Sequence, residues 1–126
     1  MNDFIGIPFE EKGRSRDGVD CWGLVWLIYK ELYDKSLPLY TDLYSDTKDR
    51  HIGAVINEQL DDAWLRVDNP QKGDIIILRM RGLPFHVGMV VDDKTMIHAE
   101  QDLGSVIENY KGLKWSKRVL GFYRMK

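Results

Sequence analysis

The stretch DCWGLVWLIYKEL, residues 20–32, decides the fold of this 126-residue chain. Its apolar positions recur every three or four residues, on one face of a helix: Cys21, Leu24, Val25, Ile28 and Leu32. Asp20 is a favoured N-cap residue, so we expect Cys21 to lie in the first turn of the helix. Pro38 ends any continuation. The stretch therefore predicts an amphipathic helix that begins with a cysteine.

The position of Cys21 at a helix start has two interpretations. Backbone N–H groups without partners and the positive end of the helix dipole favour a thiolate, so Cys21 can be a nucleophile with a lowered pKa. The same N–H groups can stabilise an oxyanion, and Gly23 would let a substrate backbone approach closely. In the other interpretation, Cys21 is a small apolar side chain packed against a sheet. A suitably placed general base would favour the first.

Beyond this helix the sequence changes from helical to strand-like periodicity. A second helix is predicted from about Thr47 to Ala63, followed by a turn at residues 69–74. Strands are then predicted at residues 75–80, 85–91, 95–99, 105–109 and 119–125. Helices followed by strands indicate an α+β fold, with N-terminal helices packed on an antiparallel sheet of about five strands. Length and the absence of a linker-like stretch favour a single domain over residues 1–126.

Composition excludes several classes of function. Lys and Arg number 18 and Asp and Glu 20, so the net charge of −2 gives no electrostatic basis for binding nucleic acid or an anionic membrane. One cysteine excludes an internal disulfide and a cysteine-rich zinc site. The sequence has no apolar run of the ~20 residues that a membrane span requires, and no secretory signal. We therefore expect synthesis in the cytoplasm without a signal peptide, and no membrane partner.

Two of the histidines, His86 and His98, fall on neighbouring predicted strands. If residues 92–94 form a three-residue loop, the two side chains share one face, whereas a four-residue loop would put them on opposite faces. On one face, one imidazole can act as a base toward Cys21 while the other orients it, and Gly88 leaves an open slot beside His86. Two other interpretations remain: histidines that only bond their neighbours, and a metal site shared with Cys21. The spacing matches no compact zinc motif, so no metal site is predicted.

These motifs resemble those of the NlpC-type (NlpC/P60) cell-wall cysteine peptidases. The residues that carry the resemblance, in the family's order over nearly the whole chain, are Asp20-Cys21-x-Gly23-Leu24, His86-x-Gly88 and Ile97-His98-Ala99. The resemblance implies a papain-like fold and hydrolysis of an amide bond in a peptidoglycan stem peptide, often the bond from γ-D-glutamyl to the diamino acid. By position, it implies that Cys21 is the nucleophile, His86 the general base and then acid, and His98 the orienting residue. It implies no metal or organic cofactor.

The resemblance also implies contacts with the substrate. Asp20 would hold the free amine of the stem peptide, a role that suits its charge. Trp22 stands where the family commonly has Ser, and Phe9 where it commonly has Tyr, so we expect both to alter the substrate pocket. Trp22 can stack on a stem or a sugar. Arg14, in the loop before the helix, can meet a substrate carboxylate.

The Asp-Cys-Trp-Gly version of the motif resembles phage or prophage tail-associated members of the family. It implies tail proteins as partners, and a virion tail that delivers the peptidase to the cell wall. Two alternatives stay open. The same triad can serve an amidase or an acyl transfer to another amine, or the fold can be a non-catalytic tail assembly or interaction module. Thiol labelling near neutral pH tests the difference, because a reactive Cys21 favours an enzyme.

Overall fold

Helix α1, Cys21–Leu32, packs against a six-stranded antiparallel sheet in a computed structural model that describes residues 1–41, 64–80 and 83–126. The strands within these ranges are β1 (Arg14–Ser15), β2 (Gly18–Val19), β3 (Trp64–Val67), β4 (Ile75–Met80), β5 (Leu83–Val90), β6 (Thr95–Glu100), β7 (Gly104–Asn109) and β8 (Val119–Met125). Strands β1 and β2 form a separate ribbon before the helix, and the large sheet has the order β3-β8-β4-β5-β6-β7. The predicted α+β class is confirmed.

Asp20 begins helix α1 as predicted. Its Oδ1 accepts a hydrogen bond from the backbone N–H of Gly23 at 2.7 Å, which satisfies one of the N–H groups that a helix start leaves without a partner. The helix ends at Leu32, and Asp34 then adopts a left-handed φ of 51° that redirects the chain. Within the described ranges, no helix combines the length and apolar character needed to cross a membrane.

Strand β3 is the strand of the large sheet that the sequence analysis missed, and the short β1–β2 ribbon was not predicted either. Strand β3 pairs with β8, from Trp64 opposite Met125 to Val67 opposite Phe122. Four residues carry too little alternation to identify a strand, and its partner lies far away in the sequence. The other five strands of the sheet lie within two residues of their predicted positions. The helix predicted from Thr47 to Ala63 lies outside the described residues.

The register between β5 and β6 is the one that the three-residue loop predicts. Met89 pairs with Ile97 and Val90 with Met96, so this prediction is confirmed. Because side chains alternate between the two faces of a sheet, this register puts His86 and His98 on the same face. A shift of one residue would have separated them.

Both faces of the sheet are covered, which is why its central strands are apolar throughout. Alternate residues of the strands pack with helix α1, namely Ile75, Ile77, Val87, Met89, Ile97 and Ala99. The opposite face packs with Tyr110 and Trp115 through Ile76, Leu78, Val90 and Met96. A sheet buried on both sides gives continuous apolar runs in its strands instead of alternation. The side chains of His86 and His98 lie on the second face, the one covered by Trp115.

Candidate active site

Cys21 is the first residue of helix α1, and its side chain is only 5% exposed. Burial raises the pKa of the thiol, and the neighbouring Asp20 carboxylate raises it further. The backbone N–H groups of Val87 and Trp22 and the Arg14 guanidinium act in the opposite direction but do not outweigh burial. The lowered pKa expected from the sequence is therefore reversed, because the helix start is enclosed by the protein. In the resting structure Cys21 is a neutral thiol at neutral pH.

His86 and His98 form a directly bonded imidazole pair. Nε2 of His86 lies 2.8 Å from Nδ1 of His98, and the two rings are nearly perpendicular, with centroids 5.0 Å apart. Both side chains are buried. Burial lowers the pKa of His86 to about 3, with a further contribution from His98, and burial also lowers the pKa of His98. Both imidazoles are thus neutral near pH 7, the state in which one can accept a proton.

Gly88 has a different function from the open slot that the sequence suggested. A Cβ on this residue would lie 3.0 Å from the backbone oxygen of Ile97 and 3.1 Å from Cβ of His98. The space beside His86 is therefore occupied by strand β6 itself. The absent side chain lets the neighbouring strand bring His98 close to His86.

Glu108 is a member of this cluster that the sequence analysis did not identify. Its Oε2 lies 2.6 Å from Nε2 of His98. Burial by itself raises the pKa of Glu108, but the hydrogen bond from His98 and the charge of Lys114 outweigh it, so the net shift is downward. The strand register contains the signal for this contact. Glu108 of β7 pairs with Met96 of β6, which lies two residues before His98, so Glu108 is diagonal to His98 on the same face of the sheet.

Trp115 covers the imidazole pair. Its ring is stacked on His86, with centroids 6.3 Å apart and planes at 17°, and meets His98 edge-on at 5.2 Å. The residue is 1% exposed, so it seals this face of the sheet against water. A low-polarity cover strengthens the hydrogen bonds beneath it. The sequence analysis had not selected Trp115, because nothing in its local sequence places it beside the histidines.

The thiol and the imidazole pair approach strand β5 from different sides. Cys21 belongs to the apolar cluster beneath helix α1 together with Val87, whereas His86 is opposite Leu78 on the Trp115 side. In the described residues, no hydrogen bond joins Sγ of Cys21 to the imidazole of His86. The structure thus brings the two histidines together and places the thiol beside the strand that carries the first of them. Proton transfer needs a closer approach, as is common in enzymes without substrate.

Asp20 and Arg14 are engaged with the protein itself, although the sequence analysis assigned both to the substrate. Nη1 of Arg14 donates to Oδ1 of Asp20 at 2.8 Å, and the Asp20 side chain is fully buried. The backbone N–H of Lys12 donates to Oδ2 of Asp20, and Nη2 of Arg14 donates to the backbone oxygen of Leu39. These contacts tie Asp20 and Arg14 to neighbouring backbone and to each other, and their contact with a substrate stays a prediction.

The structure places Trp22 in the core and Phe9 at the edge of it. Trp22 has no exposed surface, its Nε1 donates to the backbone oxygen of Pro38 at 2.8 Å, and its ring packs against Tyr40. The Trp22 ring is thus enclosed by protein, and its contact with a stem or a sugar stays a prediction. Phe9 is half-buried against the main core and bridges to Val19. The surface part of Phe9 is still available to a ligand.

The described residues contain one cluster whose ligand types suit a metal ion. Possible ligand atoms of His98, Glu100 and Glu108 lie within 4.8 Å of one another. The Nζ of Lys114 lies 3.6 Å from Glu100 and 3.3 Å from Glu108. A lysine ammonium between two carboxylates already supplies the positive charge that a cation would bring, and the third ligand is bonded to Glu108. The cluster is therefore an ion-pair network attached to the imidazole pair.

Comparison with known proteins gives consistent results. A sequence model of the NlpC/P60 family matches residues 6–124. The murein DD-endopeptidase MepS/murein LD-carboxypeptidase of Escherichia coli (strain K12) is 23% identical over 116 residues, which are 92% of this chain and 54% of that protein. The γ-DL-glutamyl hydrolase of Bacillus subtilis (strain 168) is 23% identical over 130 residues, 98% of this chain and 28% of that protein. The crystal structure of an NlpC/P60 family protein from Bacillus cereus ATCC 10987 has a TM-score of 0.69 and 26% identity, over 98% of this chain and 37% of that one. This chain spans about half the length of the first relative.

Proposed function

This chain belongs to the NlpC/P60 family and has its papain-like fold, and from this premise we propose that it is a cysteine peptidase that hydrolyses an amide bond in peptidoglycan stem peptides. The observation that carries the proposal is the placement of a thiol and a buried imidazole pair on elements packed together. Cys21 begins α1, and His86 and His98 lie on β5 and β6, which that helix contacts. A module that only binds other proteins has no use for a buried, neutral imidazole pair on neighbouring strands, one of which also packs against the thiol.

The protonation states support general-base attack by a neutral thiol. Sγ of Cys21 forms a bond to the substrate carbonyl carbon while its proton passes to Nδ1 of His86. The tetrahedral intermediate collapses to a thioester, and the proton from His86 leaves with the amine. Water, deprotonated by His86, then hydrolyses the thioester and restores the thiol. His98 holds the ring of His86 throughout by the bond between Nε2 and Nδ1.

The helix start also offers a donor for the oxyanion of that intermediate. The Asp20 side chain accepts a hydrogen bond from the N–H of Gly23, and its backbone oxygen accepts one from the N–H of Leu24. The N–H group of Cys21 comes before these in the first turn, and in the described residues no group is seen to accept from it, whereas the N–H of Trp22 is directed at the thiol. Fixed N–H groups aimed at a developing oxyanion contribute several kcal/mol, about 2.7–4 for one donor.

The bond that is cut is the finer part of the proposal. We assign it to the amide between γ-D-glutamyl and the diamino acid, as the family resemblance implies. The relative named as a γ-DL-glutamyl hydrolase is consistent with this choice. The relative named as a DD-endopeptidase and LD-carboxypeptidase offers a different bond, so the products must be identified.

Digestion of purified peptidoglycan tests both parts. The wild type is expected to release fragments whose masses identify the bond, and Cys21→Ala is expected to release none. Leu113→Ala, at a fully exposed residue, is the matched control and should cut as the wild type does. Failure of the wild type on several wall types would contradict the peptidase. A mass increase from a primary amine added to the reaction would favour the acyltransferase alternative.

Delivery by a phage tail is a separate proposal, supported by the Asp-Cys-Trp-Gly form of the motif. It predicts that the protein is present in purified virions and that it binds tail proteins. Mass spectrometry of virions tests it, and absence from them would contradict it. A protein found in virions that cuts no wall would favour the tail assembly or interaction module.

A further inference from the structure

We propose that Glu108 is a positioning residue that fixes where the protons lie in the imidazole pair, so that Nδ1 of His86 carries the lone pair that accepts the proton of Cys21. This inference rests on the proposed peptidase function for its chemical purpose. Its geometric basis is the continuous chain of contacts from Glu108 to His98 at 2.6 Å and from His98 to His86 at 2.8 Å.

The proton positions follow from the hydrogen-bonding capacity of each group in turn. An ionised carboxylate only accepts, so Nε2 of His98 must carry the hydrogen that it donates to Glu108. A neutral imidazole has one N–H, so Nδ1 of His98 is then an acceptor. Nε2 of His86 must therefore be the donor in the bond between the rings, which leaves Nδ1 of His86 without a hydrogen. In the described residues, no hydrogen bond engages that nitrogen. The Glu108 carboxylate, at one end of this series of hydrogen bonds, thus selects Nδ1 of His86, at the other end, as the basic atom.

The surroundings of Glu108 keep it ionised and hold it in place. Lys114 donates to its other oxygen, Oε1, at 3.3 Å. The remaining charged groups near His98 are Glu100, whose Oε1 lies 3.9 Å from Nε2, and the same lysine, which bridges the two carboxylates. Arg118 lies over the outer face of Trp115, with the guanidinium 5.8 Å from the ring centroid. Glu108 alone of the two acids is within hydrogen-bond distance of His98.

The same series of hydrogen bonds stabilises the positive charge that forms on His86 during the reaction. When Nδ1 of His86 takes the thiol proton, the ring becomes a cation in a buried site. Its Nε2–H then donates more strongly to His98, and His98 donates more strongly to the carboxylate. Removing the negative charge of Glu108 should therefore lower the pKa of His86 and make this imidazole a weaker base.

The kinetic test compares Glu108→Gln with Glu100→Gln. The second variant removes the same charge from a carboxylate that lies 3.9 Å from Nε2 of His98, beyond hydrogen-bond distance. Glu108→Gln is expected to lower kcat roughly 10- to 100-fold with little change in KM, and to shift the acid limb of kcat/KM to lower pH. The expected loss is smaller than the roughly 10⁴-fold loss for a residue bonded directly to the catalytic base. Glu100→Gln is expected to change kcat less than about 3-fold. A Glu108→Gln enzyme with an unmoved acid limb, or with wild-type kcat, would overturn the proposal.

A second measurement needs no substrate and separates this proposal from the peptidase function. In Cys21→Ala labelled with ¹⁵N-histidine, NMR near neutral pH should show His86 and His98 both carrying hydrogen on Nε2. Glu108→Leu, which removes the acceptor, should change the tautomer of at least one ring in this background, and thermal melting would report whether it folds. A hydrogen on Nδ1 of His98 when Glu108 is present would refute the assignment, even if the enzyme cuts peptidoglycan. The expected tautomers in a protein without hydrolase activity would retain the proton assignment and reject the peptidase.

Discussion

Replacement of Gly23 by alanine should destabilise the protein, although alanine is the better helix residue. Gly23 lies in the first turn of α1, where a Cβ would be 2.0 Å from the backbone oxygen of Gly13, 2.9 Å from Nη1 of Arg14 and 3.1 Å from Oδ1 of Asp20. The nearest atom belongs to the backbone, so no rotamer change relieves the clash. The sequence analysis expected a substrate to approach this glycine, but the group that does so is the protein's own loop.

The magnitude follows from that distance. To reach an ordinary contact of 3.4 Å, the oxygen of Gly13 must retreat by roughly 1.4 Å, which moves the adjacent Arg14 away from Asp20. Helix propensity favours the alanine by about 1 kcal/mol. Overpacking costs about 1–3 kcal/mol, and separating a buried ion pair costs up to about 3–5 kcal/mol. We expect a net loss of roughly 2–4 kcal/mol in the free energy of unfolding, because the loop relaxes in part.

Urea denaturation and thermal melting measure this change. A loss of that size should lower Tm by roughly 8–16 °C, at about 4 °C for each kcal/mol. Gly112→Ala is the matched control, since its Cβ would meet the nearest atom at 3.3 Å, and it should change the free energy of unfolding by less than about 1 kcal/mol. If Gly23→Ala were as stable as the wild type, the tight packing of the loop on the helix start would be refuted.

Two further predictions concern titration. Iodoacetamide should label Cys21 more slowly than free cysteine at pH 7, with a rate still rising at pH 9, because burial raises the pKa of the thiol; a rate that levels off near pH 6 by mass spectrometry would contradict this. Slow labelling is then compatible with an enzyme, so labelling at one pH no longer separates the catalytic from the non-catalytic reading. The unfolded chain protonates His86 below about pH 6.5, whereas the folded protein does so only near pH 3, so the free energy of unfolding should fall as the pH drops through this window. The slope should reach at most about 1.4 kcal/mol per pH unit for this imidazole. Urea midpoints that do not change from pH 6.5 to 4 would argue against a buried neutral histidine, and so would a pH dependence in His86→Asn as steep as that of the wild type.

The parts of the site that depend on local sequence could be predicted. The N-cap at Asp20 and the first turn at Cys21 follow from short-range preferences that operate within one turn of helix. The placement of His86 and His98 on one face follows from one loop length, because the side-chain period of a strand is two. Each of these inferences needed a single boundary to be correct.

The parts that depend on distant residues could not. Asp20 reads as an available acid until Arg14 and the N–H of Lys12 fold back onto it, and that contact depends on the path of the β1–β2 ribbon. The sign of the Cys21 pKa shift depends on how completely the site is enclosed. Glu108 lies on the strand beside His98, where the side-chain period of two puts it on the same face as the histidines.

The order of the strands in the sheet determines when the active site can be assembled in a living cell. Strand β8 follows all the other strands in the chain, yet it lies between β3 and β4 and joins them. While a ribosome is still translating the segment before Val119, β4 has only β5 as a neighbour and β3 has not joined the sheet. Cys21, His86 and His98 all precede β8 in the chain, so they are synthesised before the strand that joins β3 to β4. The sheet that carries Cys21's neighbouring strand and the two histidines is therefore complete only after β8 has been translated.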